Sequence, residues 1–319
     1  MLLEISYRYE SFLQGINNRF IATRPPITHH LSTLYKRFMH ENATKETLKI
    51  LEETIIIRDN ILKNAQNGWV SKAEIELNEL KLSYAKYSFT EPIMLLMQSQ
   101  DWPLQAFIEY QKKLLTAAEF SLESGIQADW LLESKYHFKE MQFHRIHLIH
   151  NQAKVLLKRH DIAGAIKKIL NMMNQIAIPN KIIFTPPIQI ESNPISDEYL
   201  SLLFYHLSDS LALICRENPK ETMLVAKEES KKITTTQDNN YFNSLKNIYS
   251  FIENRNIENK STDQILKSGN IHYAGLWYSA VAILHKYCEE NDSPFAANII
   301  QNLSEKKAPA YWIQFVKSV

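Results

Sequence analysis

Glycine is scarce in this chain, with six residues in 319. It supplies the left-handed backbone of tight hairpin turns and the bare loops that cradle phosphates. Its scarcity argues against β-rich and dinucleotide-binding folds. Cysteine is almost missing too. Cys215 and Cys288 are the two present, both inside apolar helical patterns, where a buried free thiol is the default expectation. No window approaches eighteen uncharged apolar residues, so no membrane-spanning helix is expected. Neither sign of charge dominates: 36 Lys and Arg stand against 35 Asp and Glu, a net charge of +1. That offers no global field for nucleic acid or an anionic membrane. P-loop, GxGxxG, HExxH, CxxC and GxSxG motifs are all absent. The opening stretch MLLEISYRYESF has no basic n-region and carries Glu4, so it does not read as a secretory signal. A cytoplasmic location is the expectation, although signal-less secretion leaves no trace in a sequence.

Amphipathic helical sequence fills the chain instead. A helix is expected over residues 2–21, stopped by Arg24-Pro25-Pro26. Thr28 caps a second through Phe38. Thr44 opens a third, with Leu48, Leu51, Ile55 and Leu62 inward, and Asn67-Gly68 ends it. A fourth runs from Trp69 to about Tyr87. Thr90-Glu91-Pro92 and Asp101-Trp102-Pro103 each read as a cap followed by a first-turn proline. A single helix is therefore expected from Leu104 to Ser124, with a start at 101–103 and a stop at Gly125.

From Asp129 one long helix is expected to run to Arg159. Leu131, Phe138, Ile146, Ile149, Ala153 and Leu156 share one face of it, and Lys154, Lys158 and Arg159 suit its C-terminal dipole. A break at His160–Asp161 then returns the chain into a second helix through Met173. Four prolines in 177–195 forbid regular helix there. Ile178, Ile182, Ile183, Phe184, Ile188 and Ile190 make that segment an ordered, packed excursion rather than a solvated tether.

A helix follows from Ser196 through Ile214. Loops are expected at 234–240 and, mobile, at 253–264, around a helix at 241–252. An apolar helix spans 271–290. Ser293-Pro294 and Pro309 open the last two, which end in docked aromatics. The fold class is thus all-α: stacked antiparallel helical hairpins, as a solenoid or an irregular helical bundle. The halves are 1–176 and 196–319, joined through 177–195 in one continuous helical body. No exact repeat period emerges.

The stretch NQAKVLLKRHDIAGAIKKILNMMNQIAIPN, residues 151–180, resembles a tetratricopeptide-type repeat. Ala153 and Ala165 occupy the family's small positions, where two helices approach closely, and Pro179 follows the second helix. No tryptophan opens the motif, and Leu156 and Leu157 stand where an aromatic is usual. The resemblance implies paired helices that hold a partner on a concave surface.

Glu133, His137, Glu140, His144 and His147 fall on the arc opposite the apolar face of the 129–159 helix. Under a helical-metalloenzyme reading, Glu140, His144 and His147 are the candidate metal ligands. Di-iron helices use Glu-x-x-His on each of two helices, whereas this stretch has Glu-x-x-x-His, and His206 with Asp209 is the nearest second set. Cys215 or Cys288 could pair with His206, His272 or His285, but neither cysteine has an elbow or a glycine-rich oxyanion loop. Trp69, Trp102 and Trp130 sit near expected helix starts, where half-exposed rings can serve a partner. The function expected first is a non-catalytic protein- or peptide-binding scaffold with no cofactor and no metal. The alternatives are the metalloenzyme and a regulator that senses a small ligand.

Overall fold

Helix is the only regular structure among the described residues of the computed structural model, which are 31–177, 183–189, 194–218 and 274–318, with Glu10 and Val225 besides. The helices are α1 (Leu31–Asn42), α2 (Lys45–Gln66), α3 (Val70–Tyr84), α4 (Glu91–Gln111), α5 (Leu115–Tyr136), α6 (Met141–Lys158), α7 (Ile162–Ala177), α8 (Pro194–Glu217), α9 (Ala274–Glu290), α10 (Phe295–Glu305) and α11 (Ala310–Ser318). The fold is all-α, as the sequence implies. The segments expected at 2–21 and 234–264, the Thr28 cap, Pro179, Ile178, Ile182, Ile190, His272 and the Cys215 side chain lie outside the described residues.

The chain forms two compact units. An N-terminal unit holds Thr28–Asp161 and Phe184–Ile190, with α1 to α6; a C-terminal unit includes Ile162–Ile183 and Glu191–Val319, with α7 to α11.

In the N-terminal unit α4 packs on α1, α2, α3 and α5, and α5 packs in turn on α6. Thr44 caps α2 as expected, its hydroxyl accepting from the Thr47 N–H at 3.2 Å. Gly68 turns the chain with φ 84°, which only glycine adopts without strain. The inward stripe of α2 is Leu51, Thr54, Ile61 and Ala65. Ile55, expected inward, is exposed. One position on a helix is about 100°, and a neighbour at the same phase decides it. Arg58 lies in that stripe, and its Nε donates to the buried carboxylate of Asp101 at 2.7 Å. It also reaches the Tyr84 hydroxyl at 2.8 Å, tying α2 to α3 and α4.

Two expected boundaries are corrected. Asp101-Trp102-Pro103 does not start a helix: α4 continues through it, with Pro103 inside. Asp101 is occupied by Arg58 rather than by free N–H groups. The break comes at Lys113, φ 61°. Gly125 is likewise no stop, because α5 continues to Tyr136. A Cβ at Gly125 would lie 3.0 Å from Leu148 Cδ1 and 3.4 Å from Trp102 Cβ. This glycine marks the place where three helices meet.

Over 183–189 the proline-rich segment is without helix. Pro186 and Ile188 are buried, while Phe184 is half-buried. The Ile183 N–H donates to Gln175 Oε1 at 3.2 Å.

In the C-terminal unit α7 packs on α8, and α9 packs on α8, α10 and α11. Its core gathers Tyr205, Tyr278, Leu284, Cys288, Trp312 and Phe315. Tyr278 stacks on Trp312 at 4.6 Å, so the C-terminal aromatics are docked as expected. Cys288 is a buried free thiol.

Candidate functional site

The helix expected from 129 to 159 is two helices. His137 caps α5 in the left-handed conformation, φ 56°, and the Phe138 N–H returns to the Leu132 carbonyl at 3.1 Å. Left-handed backbone is unfavourable for a residue with a Cβ. Burial of the next residue offsets it: Phe138 stacks on Phe38 with ring centroids 4.4 Å apart and planes 8° from parallel. Aromatic pairs add to the area they bury.

The break re-aims the expected ligand stripe. Glu133 Oε2 accepts from Arg145 Nη2 at 2.6 Å. Arg145 is 1% exposed; it donates to the Pro187 carbonyl at 3.0 Å and lies over the Trp130 ring at 5.1 Å. Burial pushes the Glu133 carboxyl upward, with Arg145 opposing. Asp129, fully buried, holds His144 Nδ1 at 2.8 Å. Glu140 pairs with Arg37 at 2.7 Å, His147 is exposed, and His137 is the cap. Glu140, His144 and His147 are therefore not brought together. Among the described residues no three His, Cys, Asp or Glu gather where they could hold a metal ion.

The sequence reading missed Asp129 and Arg145. The usable signal was that Met141, Leu148 and Ile149, one turn away on the same face, are apolar, which puts Arg145 on the inward side of its helix.

A carboxylate behind an imidazole can orient a general base. The partners described for His144 are Asp129 and the Tyr35 ring, at 6.3 Å, and neither is an activated nucleophile. In the other unit His285 lies 3.5 Å from Glu289, burial lowers its pKa, and Cys288 sits in the core. Asp209 is pushed up to about 7 by burial, against a hydrogen bond from Tyr205. None of the described geometry is that of a nucleophile beside its base.

A concave site does exist in the N-terminal unit. Pro103, Ala106, Phe107 and Tyr110 recur at i, i+3, i+4 and i+7 on α4 and form one wall. Asn151, Lys154 and Val155 of α6 form the other, with Leu122 of α5 between them. The helices are pinned at Gly125, and the cleft opens from there toward the turn at Lys112–Leu114. Its volume is about 160 Å³. That is close to the roughly 150 Å³ that holds one benzene-sized group.

Lys154 is exposed as a residue and donates to Asn151 Oδ1 at 3.1 Å, and the burial of its ammonium against the cleft lowers its pKa. The sequence reading assigned Lys154 only to the helix dipole. The aromatic and apolar spacing from Pro103 to Tyr110 was the signal for the wall, obscured by the helix start expected there.

No helix among the described residues is long and apolar enough to cross a membrane. No family model, curated protein or solved structure matches the chain.

Proposed function

We propose that the chain is a non-catalytic binding module whose N-terminal unit holds a partner protein or peptide and takes one apolar side chain of it into the cleft of α4, α5 and α6. The apolar lining of the cleft carries this reading, because a concave wall of aromatic and aliphatic side chains suits an apolar side chain of a partner. Exposed apolar residues on the same unit add contact surface: Ile56, Trp69, Leu82 and Phe120 are 62%, 58%, 74% and 68% exposed. The location proposed is cytoplasmic.

The test is selection of random displayed peptides on the full chain. Peptides that bind the parent are expected to lose at least tenfold in affinity against Asn151→Trp, which covers the cleft from a half-buried rim position. Failure to select any peptide, or equal binding to parent and variant, would overturn the reading.

A further inference from the structure

We infer that the N-terminal unit has a second binding site, separate from the cleft, at Trp130, Glu133 and Arg145. It takes an extended segment of a partner polypeptide in which two consecutive prolines precede an aliphatic residue. The chain's own Pro186-Pro187-Ile188 is its resident occupant.

The route of the chain motivates it. Phe184–Ile190 belongs to the N-terminal unit, whereas Ile162–Ile183 before it and Glu191–Val319 after it belong to the other. A short stretch thus joins α5 and α6 as a bound peptide would. Arg145 receives it: Nη2 donates to the Pro187 carbonyl at 3.0 Å and Nη1 to the Pro186 carbonyl at 3.4 Å. Proline has no N–H, so paired prolines present acceptors only, and a guanidinium presents donors only. Glu133 Oε2 accepts from the same Nη2 at 2.6 Å, and the Trp130 ring lies 5.1 Å from the guanidinium carbon. Because Glu133 already balances the charge, neutral carbonyls suit the fork and an acidic ligand is repelled. Pro186 and Ile188 are buried, which supplies the apolar part of the recognition.

The resident is an incomplete match. Arg145 is buried, and its Nε meets no acceptor among the described residues. A buried donor without a partner is costly, so a segment that brings an acceptor to Nε gains a bond the resident lacks. Proline-rich segments are already extended and lose little freedom on docking. Attachment to the same chain gives the resident an effective concentration of about the millimolar range. It therefore holds the site against weak competitors and gives way to a better-matched one.

The experiment titrates the full chain into a fluorescent synthetic peptide of residues 183–189 and reads anisotropy. Ile188→Asp unseats the resident segment by placing a carboxylate at a buried apolar position. That variant is expected to bind the peptide about tenfold or more tighter than the parent, whose own segment competes. Serine at the Ile188 position of the peptide, or glycine at both proline positions, should weaken binding about tenfold. Arg145→Lys added to Ile188→Asp keeps the charge but loses the fork, and should weaken it about fivefold. Should the Ile188→Asp chain melt without a cooperative transition, the peptide is expected to restore one. Equal binding by parent and variant, indifference to the peptide changes or to Arg145→Lys, or an Ile188→Asp chain that neither binds the peptide nor regains its transition would overturn the inference.

Discussion

The two ends of the α5–α6 pair handle charge in opposite ways. Near the α5–α6 turn, Glu133 and Arg145 are buried against each other and against the carbonyls of Pro186 and Pro187, and Asp129 is buried against His144. At the far end Lys154 borders an apolar cleft with a neutral amide as its partner. Buried charges with partners cost desolvation and recover it through geometry. They fix how the helices and the proline-rich segment fit together. A partly desolvated cation without a carboxylate contributes nothing comparable to the fold. Buried pairing thus fixes construction at the turn, while at the far end Lys154 beside Asn151 and Arg159 with Glu119 keep their charges nearer the surface.

The sharpest way to break the comparison is Arg145→Met. It leaves Glu133 buried without its cation and two carbonyls without their donor. A loss of about 3–5 kcal/mol is expected in chemical denaturation, and the double variant Glu133→Gln, Arg145→Met should recover part of it. Loss below about 1 kcal/mol would show that the pair is not structural.

Ile188→Ala tests the segment that Arg145 holds. Ile188 is 1% exposed, so a cost of about 2–5 kcal/mol is expected. Phe184→Ala should cost less, because that ring is half-buried. The reverse order in urea melts would mean that the segment is held by its aromatic end.

Asp209, in the other unit, is a buried carboxyl with a hydroxyl rather than a cation beside it. Its folded pKa of about 7 stands above the ordinary 3.8. Such an acid favours the folded state only while protonated. The unfolded chain ionises first, so stability falls as pH rises from about 4 to about 7 and then levels. Asp209→Asn should flatten that slope and stabilise the chain by about 1–3 kcal/mol above pH 7. Glu133, also pushed up by burial, leaves a residual slope of the same sign. Melting temperatures of parent and variant at pH 5 and pH 8 decide it.

The smallest effect completes the comparison. Lys154→Gln should leave stability within about 0.5 kcal/mol, as for a surface position outside any network. A larger drop in the melting midpoint would place Lys154 among the structural charges and remove the basis of the contrast.

What was legible in the sequence was local. The Thr44 cap, the Asn67-Gly68 stop and the break at His160 all depend on residues within a few positions of one another. The candidate site was not legible for the opposite reason. Its walls come from residues near 106, 122 and 154, and the expected helix start at Pro103 and stop at Gly125 cut across both supporting helices. The break at His137 separates Glu133 from the rest of the stripe, and Glu140 and His144 are taken by Arg37 and Asp129, partners that arrive from other helices.

By itself the sequence determined that the chain is helical, because periodic apolar spacing with little glycine leaves helix as the only regular structure that buries those faces. Tertiary structure alone decided the phase of α2, the meaning of Pro103 and Gly125, and the fate of each charge. A proline can open a helix or lie inside one, a glycine can end a helix or admit a neighbour, and a carboxylate can cap, ligate or pair. The choice among them is made by the side chain that arrives from another helix.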